Sequence, residues 1–502
     1  MLQVTVKRHD RFQIELKVAY PLSKGKRRQS HEFDLYFFAP LSLGVRRETY
    51  SKSQFYADLQ SHLRLTTPSV PLDGFVQGEE SPLEKLRAVI ESFGLDDSVE
   101  PPDAYERAIK LYCSMLKSAA RDFSEQIRRA TDEHEQERLV RVFVESMQDV
   151  RREYRALRSR IQRPGVAQTT LGIYLFGDEW LSLLIEDRGY RLLEELCGGD
   201  EVDERYAELL GLVESETLYR TRVGYPSVSR EDGDNELPIF RRSVLKKYMA
   251  SILFLQTEVR KEGAFLRETL FGIAAALAMI FATAIAFASQ TVYGALTPAF
   301  FVALVVSYIF KDRLKELLRT YFQKRMSRLL FDQRTSIRDA AQRKVGECRE
   351  SFDFIDKRRL PEKVRELRDS QHITEIENRW RGEQILVYRK RVQLKAKAVH
   401  ETFPDYDVPG VTDILRLRLT EFLSRMDDPT KELFVMDDEG YQRIKGARVY
   451  HLNLVLHLRG NGRADLRRFR VVLTRKGIKR IEEVRSQGTS STISGGPPAR
   501  EK

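Results

Sequence analysis

Cysteine is scarce in this 502-residue chain: Cys113, Cys197 and Cys348 are the only three. Thiols so few and so scattered exclude a disulfide framework and offer no zinc-ligand spacing; the sparse usage suits a reducing compartment. Catalytic signatures are missing as well. No Gly-x-x-x-x-Gly-Lys-Ser/Thr loop and no Gly-x-Gly-x-x-Gly after a strand occurs, and Gly460, Asn461 and Gly462 read as a turn. There is no Gly-x-Ser-x-Gly elbow and no His-Glu-x-x-His. These absences leave no cofactor to assign. They do not exclude an enzyme, because a triad is assembled in space rather than in sequence. The first ten residues lack an apolar core of leader length, so the N-terminal region is expected in the cytoplasm.

Charge is missing from one unusually long stretch. Although 32% of the chain is charged, residues 269–310 contain no Asp, Glu, Lys or Arg. Residues 269–289 would rise roughly 31 Å as a helix, about the thickness of a hydrocarbon core. Residues 293–310 form a shorter apolar segment carrying Pro298, which fits the first turn of a helix. The reading is one two-helix transmembrane hairpin, with spans at about 269–289 and 293–311. Arg260, Lys261 and Arg267 precede it. Lys311, Arg313, Lys315, Arg319, Lys324, Arg325 and Arg328 follow it. Basic flanks stay on the cytoplasmic side, so a two-pass topology with both termini cytoplasmic, in the plasma or inner membrane, is expected. Ala274, Ala278, Ala282 and Ala286 make one ridge of small residues, and Ala295, Ala299, Ala303 and Ser307 another. Such ridges let helix backbones approach in lipid. A tight intramolecular hairpin is the favoured use, a homo-oligomer the alternative. No ionisable group lies in either segment, which argues against an ion-coupled transporter.

The remaining charge is uneven. From Lys311 onward there are 44 Lys and Arg against 29 Asp and Glu; before Thr269 there are 41 against 45. The basic half is expected to face anionic lipid, with nucleic acid less favoured. Its densest cluster includes Arg463, Arg467, Arg468, Arg470, Arg475 and Lys476, with only Phe469 as an interleaved aromatic ring.

Periodicity suggests a predominantly α chain with β-containing terminal domains. Residues 1–65 read as β-rich, with Phe12, Ile14, Leu16, Val18 and Tyr20 alternating and a returning strand through Phe33, Leu35 and Phe37. Residues 81–222 read as a helical domain in which Thr131 or Asp132 caps a helix. Residues 239–346 read as a helical stalk continuous with the hairpin. Residues 375–485 form a basic α+β domain with a helix over 411–426 and a hairpin at Asn461-Gly462, and 486–502 a disordered tail. Asp132, Glu133, His134 and Glu135 suit a first helical turn better than a metal site. His451 and His457 share one strand face without further ligands. The expected function is a membrane-anchored, cytoplasm-facing scaffold or signalling protein that binds a cytoplasmic protein partner. The alternatives are an effector whose oligomerising hairpins perturb the bilayer, and a membrane tether for nucleic acid.

Overall fold

The computed structural model describes residues 2–23, 27–78, 80–92, 103–162, 168–198, 203–229, 233–262, 264–294, 297–329, 331–370, 382–437, 440–460 and 463–484. The chain divides into two compact units. One comprises Met1–Leu63, Gln256–Ala398 and Thr412–Lys502; the other comprises Arg64–Leu255 and Val399–Val411.

The first unit opens with β1 (Gln3–Arg8), β2 (Gln13–Pro21), β3 (Arg28–Pro40), α1 (Lys52–Asp58) and β4 (Leu59–Leu65). The Ser51 hydroxyl caps α1 by accepting from the Gln54 amide. The second unit is helical: α2 (Pro82–Ser92), α3 (Asp103–Arg129), α4 (Glu133–Ala156), α5 (Arg158–Ile161), α6 (Gln168–Cys197), α7 (Ala207–Val223) and α8 (Glu236–Ala250). Asp132 caps α4, accepting from the Glu135 amide at 3.0 Å. Its core encloses a charged network: Arg155 meets Asp178 (3.0 Å) and Glu216 (2.7 Å), both buried.

The first unit resumes with β5 (Gln256–Lys261), α9 (Ala264–Tyr293), α10 (Pro298–Leu329), β6 (Gln333–Arg338), β7 (Lys344–Ile355), α11 (Glu362–Asp369), β8 (Glu383–Lys395) and α12 (Ala396–His400). It ends with β9 (Gly410–Arg418), α13 (Thr420–Ser424), β10 (Thr430–Asp437), β11 (Gly440–Ala447), β12 (Tyr450–Gly460), β13 (Arg463–Thr474) and β14 (Gly477–Val484). Eight strands form one sheet in the order β14-β13-β12-β3-β8-β7-β6-β5; four form another, β1-β2-β9-β4; β10 and β11 pair alone. Every pairing in the large sheet is antiparallel.

The fold is therefore mixed rather than predominantly α: helix takes about 51% and strand about 30% of the described residues. Of the helix expected over 411–426, residues 411–418 are strand β9, where Val411, Asp413, Leu415 and Leu417 are buried at alternate positions, and only Thr420–Ser424 are helical. Strands β2 and β3 do not pair as a hairpin; they belong to different sheets. The antiparallel helical stalk expected over 239–346 is broken on its first side, where β5 separates α8 from α9; on its second side α10 runs from the apolar segment to Leu329 before β6 begins. The tail at 486–502 lies outside the described residues.

The two-helix transmembrane hairpin needs the largest correction. Helix α9 alone among the described residues is long and apolar enough to cross a membrane. It stops at Gly294, whose φ of +76° is a left-handed conformation suited to glycine. Helix α10 starts only at Pro298, with the Thr297 hydroxyl accepting from the Phe300 amide at 3.2 Å. Its uncharged part is Pro298 to Phe310, which rises roughly 20 Å, too little for a second span. The two-pass topology falls with it.

Candidate functional site

Two features of the first unit stand out, a helical hairpin and a cavity at its base. The hairpin is inserted into a β-ladder. Strand β5 leads into α9 and β6 leaves α10, and the two strands pair with Lys261 opposite Gln333. Both feet of the hairpin are thereby held side by side. The helices pack antiparallel: the Ser307 hydroxyl donates to the Ala282 carbonyl at 3.3 Å, and Arg319 lies over the Phe271 ring at 4.7 Å. These contacts set Lys311 level with Met279. Beyond that level, toward the tip, both helices are uncharged and their large side chains are exposed, among them Ile280, Phe287, Phe301, Val302, Ile309 and Phe310.

The cavity, about 300 Å³, lies between strand β4 and strands β5 to β8 of the large sheet. Its inner wall is a charged cluster. Lys390 on β8 has a buried ammonium 2.8 Å from Glu350 of β7, 2.8 Å from Asp413 of β9 and 2.8 Å from the Ser61 hydroxyl of β4. Asp413 also accepts from Tyr20 (3.1 Å) and Ser61 (3.1 Å), and Glu350 from Tyr388 (2.9 Å). Burial opposes the charge on Lys390, but the two carboxylates outweigh it and hold the ammonium well above its ordinary range. Burial alone would raise the Glu350 carboxyl; Lys390 and the bonds it accepts keep it below the usual value instead. Two carboxylates face one ammonium, so the cluster carries an excess negative charge.

That electrostatics limits the chemistry. A serine beside a lysine suggests a nucleophile and its base, yet Lys390 is locked in its protonated form and its three donors are engaged. Burial pushes the Cys348 thiol far up, which leaves it a poor nucleophile. No group of His, Cys, Asp and Glu able to hold a metal ion is found among the described residues. Comparison with known proteins gives no matching family model, no matching curated protein and no matching solved structure.

The residues singled out by sequence are distributed as follows. Ala274 and Ala278 are buried, Ser307 is buried and bonded to α9, Ala282, Ala286 and Ala303 are half-buried, and Ala299 is exposed. Ala295 lies outside the described residues. Arg313, Lys315 and Arg319 are exposed on α10, and Lys311 is half-buried over the Tyr308 ring at 3.8 Å. Lys324, Arg325 and Arg328 are in α10, their side chains outside the described set. The basic cluster on β13 is not one surface. Arg468 is buried and bonded to Asn453 and the Leu367 carbonyl, and burial beside Arg368 and Arg470 lowers its pKa to about 10. Arg467 meets Asp465 (3.1 Å), Arg470 meets Glu482 (3.5 Å) and Arg475 meets Asp428 (3.4 Å); Lys476 is exposed.

Sequence reading missed the Lys390 cluster. Its signal is charge at inward positions of alternating strands: Lys390 shares a face with Tyr388, Val392 and Leu394, and Glu350 with Cys348, Phe352 and Phe354. Each residue alone looks like an ordinary surface charge. Only the pairing of β7 with β8, and the approach of β9, make them partners.

Proposed function

We propose that this chain is a membrane-anchored scaffold or signalling protein, held on the cytoplasmic face of a bilayer by the tip of the α9–α10 hairpin. The observation that carries the reading is the exposure of that tip. A core helix of a soluble protein hides its apolar surface, yet only 11% of the most apolar window of α9 is buried. The uncharged tip is roughly 20 Å long on α10, less than a hydrocarbon core, so it enters from one side without emerging on the other. Lys311, Arg313, Lys315 and Arg319 then lie at headgroup level, where each basic side chain adds about 1 kcal/mol on an anionic surface. The paired feet keep the rest of the first unit on the side of entry.

The test is flotation of the full chain with vesicles. Co-flotation is expected with phosphatidylcholine containing phosphatidylglycerol, weaker with phosphatidylcholine alone, and resistant to carbonate. A chain left at the bottom of the gradient would sink the reading. Depth is tested by Thr291→Cys in a Cys197→Ser background, since Cys113 and Cys348 are buried. The new thiol is expected to resist a membrane-impermeant maleimide from either side; labelling from the far side would mean that the tip crosses.

A further inference from the structure

The cavity beside Lys390 has open valences of one kind. Glu350 is 7% exposed, and its partners Lys390, Tyr388 and Cys348 all meet Oε1. No hydrogen bond among the described residues reaches Oε2, and Glu350 lines the cavity. Thr335 on β6 also lines it, is 6% exposed, and its hydroxyl makes no hydrogen bond among the described residues. Gln333, directly opposite Glu350 in the β6–β7 register, is a third polar wall group. The Glu350 and Thr335 oxygens both open onto the cavity, so a ligand seated there meets a carboxylate oxygen and a hydroxyl whose hydrogen-bonding capacity is not taken up by the protein.

The occupant's charge follows from its surroundings. The ammonium of Lys390 is spent on two carboxylates and a serine, so it has no donor left for an anion. What remains is an acceptor oxygen bearing the cluster's excess negative charge. The apolar lining comes from Leu59 and Leu63 of β4, the Tyr56 side chain, and Val259 of β5, which pairs with Thr335 in the β5–β6 register. The volume is at the small end of ligand sites, which run from about 300 to 1,000 Å³. The exposed Thr257 and Val259 on edge strand β5 give it an open side.

We propose that this cavity binds a small amphipathic amine, whose protonated nitrogen donates to Glu350 Oε2 and Thr335 Oγ1 while its hydrocarbon body rests on Leu59, Leu63 and Val259. Binding at this cavity needs no membrane and would hold for a chain that never touched lipid.

The experiment is titration calorimetry of the full chain in detergent with benzylamine, using empty micelles as the blank. Saturable binding is expected, with benzyl alcohol weaker by at least about tenfold and benzoate not binding, because a charge-assisted hydrogen bond is lost in the first case and reversed in sign in the second. Thr257→Phe fills the open side from an exposed position and should abolish binding with no shift in the unfolding midpoint. Thr335→Val should weaken benzylamine and leave benzyl alcohol little changed. Glu350→Gln should remove the preference for the amine; should it fail to fold, Thr257→Phe and Thr335→Val still decide. No saturable heat with benzylamine, equal affinity for benzyl alcohol, or unaltered binding in Thr257→Phe would each overturn the proposal.

Discussion

Lys390 shows how much one buried charge governs in this molecule. Its partners are themselves buried, so removing the ammonium leaves two carboxylates without a counter-charge. Lys390→Met is expected to cost about 3–5 kcal/mol, read as a lower urea midpoint. Adding Glu350→Gln and Asp413→Asn to the same chain should recover part of that loss, because the uncompensated charges then disappear. His31 gives a second residue-scale expectation. It is 1% exposed and stacked on Tyr20 at 5.4 Å, and burial lowers its pKa below the ordinary 6.5. Burial, and then Arg459, lower that of His457 in the same direction. The unfolded chain therefore takes up protons first as pH falls through 6.5. Stability should decline from neutral pH downward until the folded-state values are passed. His31→Phe should flatten that slope in denaturant midpoints measured between pH 7.5 and 5.5; an unchanged slope would assign the effect elsewhere. At this scale the sequence was partly readable. Inward charges on alternating strands are visible in a string of letters, but which of them meet is decided by strand order.

At the scale of elements, local caps proved more informative than hydropathy. Gly294, Thr297 and Pro298 mark the end of one helix and the start of the next. Averaging hydropathy across them hides the turn, because the turn is itself built of uncharged residues. That is why the second apolar segment looked like a span and is instead the first half of a helix whose second half is charged. Strand β5 was overlooked for a related reason. Ile252, Leu255 and Val259 happen to fall at helical spacing, while the strand's pairing with β6 involves residues roughly seventy to eighty positions away. The hairpin of β12 and β13 was legible because its Asn-Gly signal is local, and the two strands pair up to Gly460 opposite Arg463. The packing of α9 on α10 yields a prediction of the same scale. Ala278 is 1% exposed, so Ala278→Leu forces the helices apart, while Ala276→Leu places the same side chain on an exposed position. The first should cost about 1–3 kcal/mol and the second almost nothing, compared by thermal unfolding in detergent.

For the whole molecule, the decisive feature is that the apolar hairpin interrupts a ladder rather than a helix. Beyond Lys261 and Gln333 the two strands still touch, since the Glu262 amide donates to the Asp332 carbonyl at 3.2 Å. A chain in which residues 263–331 are replaced by Asn-Gly would therefore close β5 and β6 as an ordinary two-residue hairpin, a connection whose backbone twist matches antiparallel strands. The eight-stranded order needs nothing from α9 or α10, whose many contacts are with each other. Excision should thus leave strand content and benzylamine binding in place, abolish flotation with anionic vesicles, and remove the need for detergent. Circular dichroism, calorimetry and flotation on one preparation read all three. If the shortened chain lost its strands, the hairpin would be part of the fold rather than an appendage of it. If it still floated, the exposed apolar strands β10 and β11, with Phe434, Met436 and Tyr441 unburied, would be the next surface to remove.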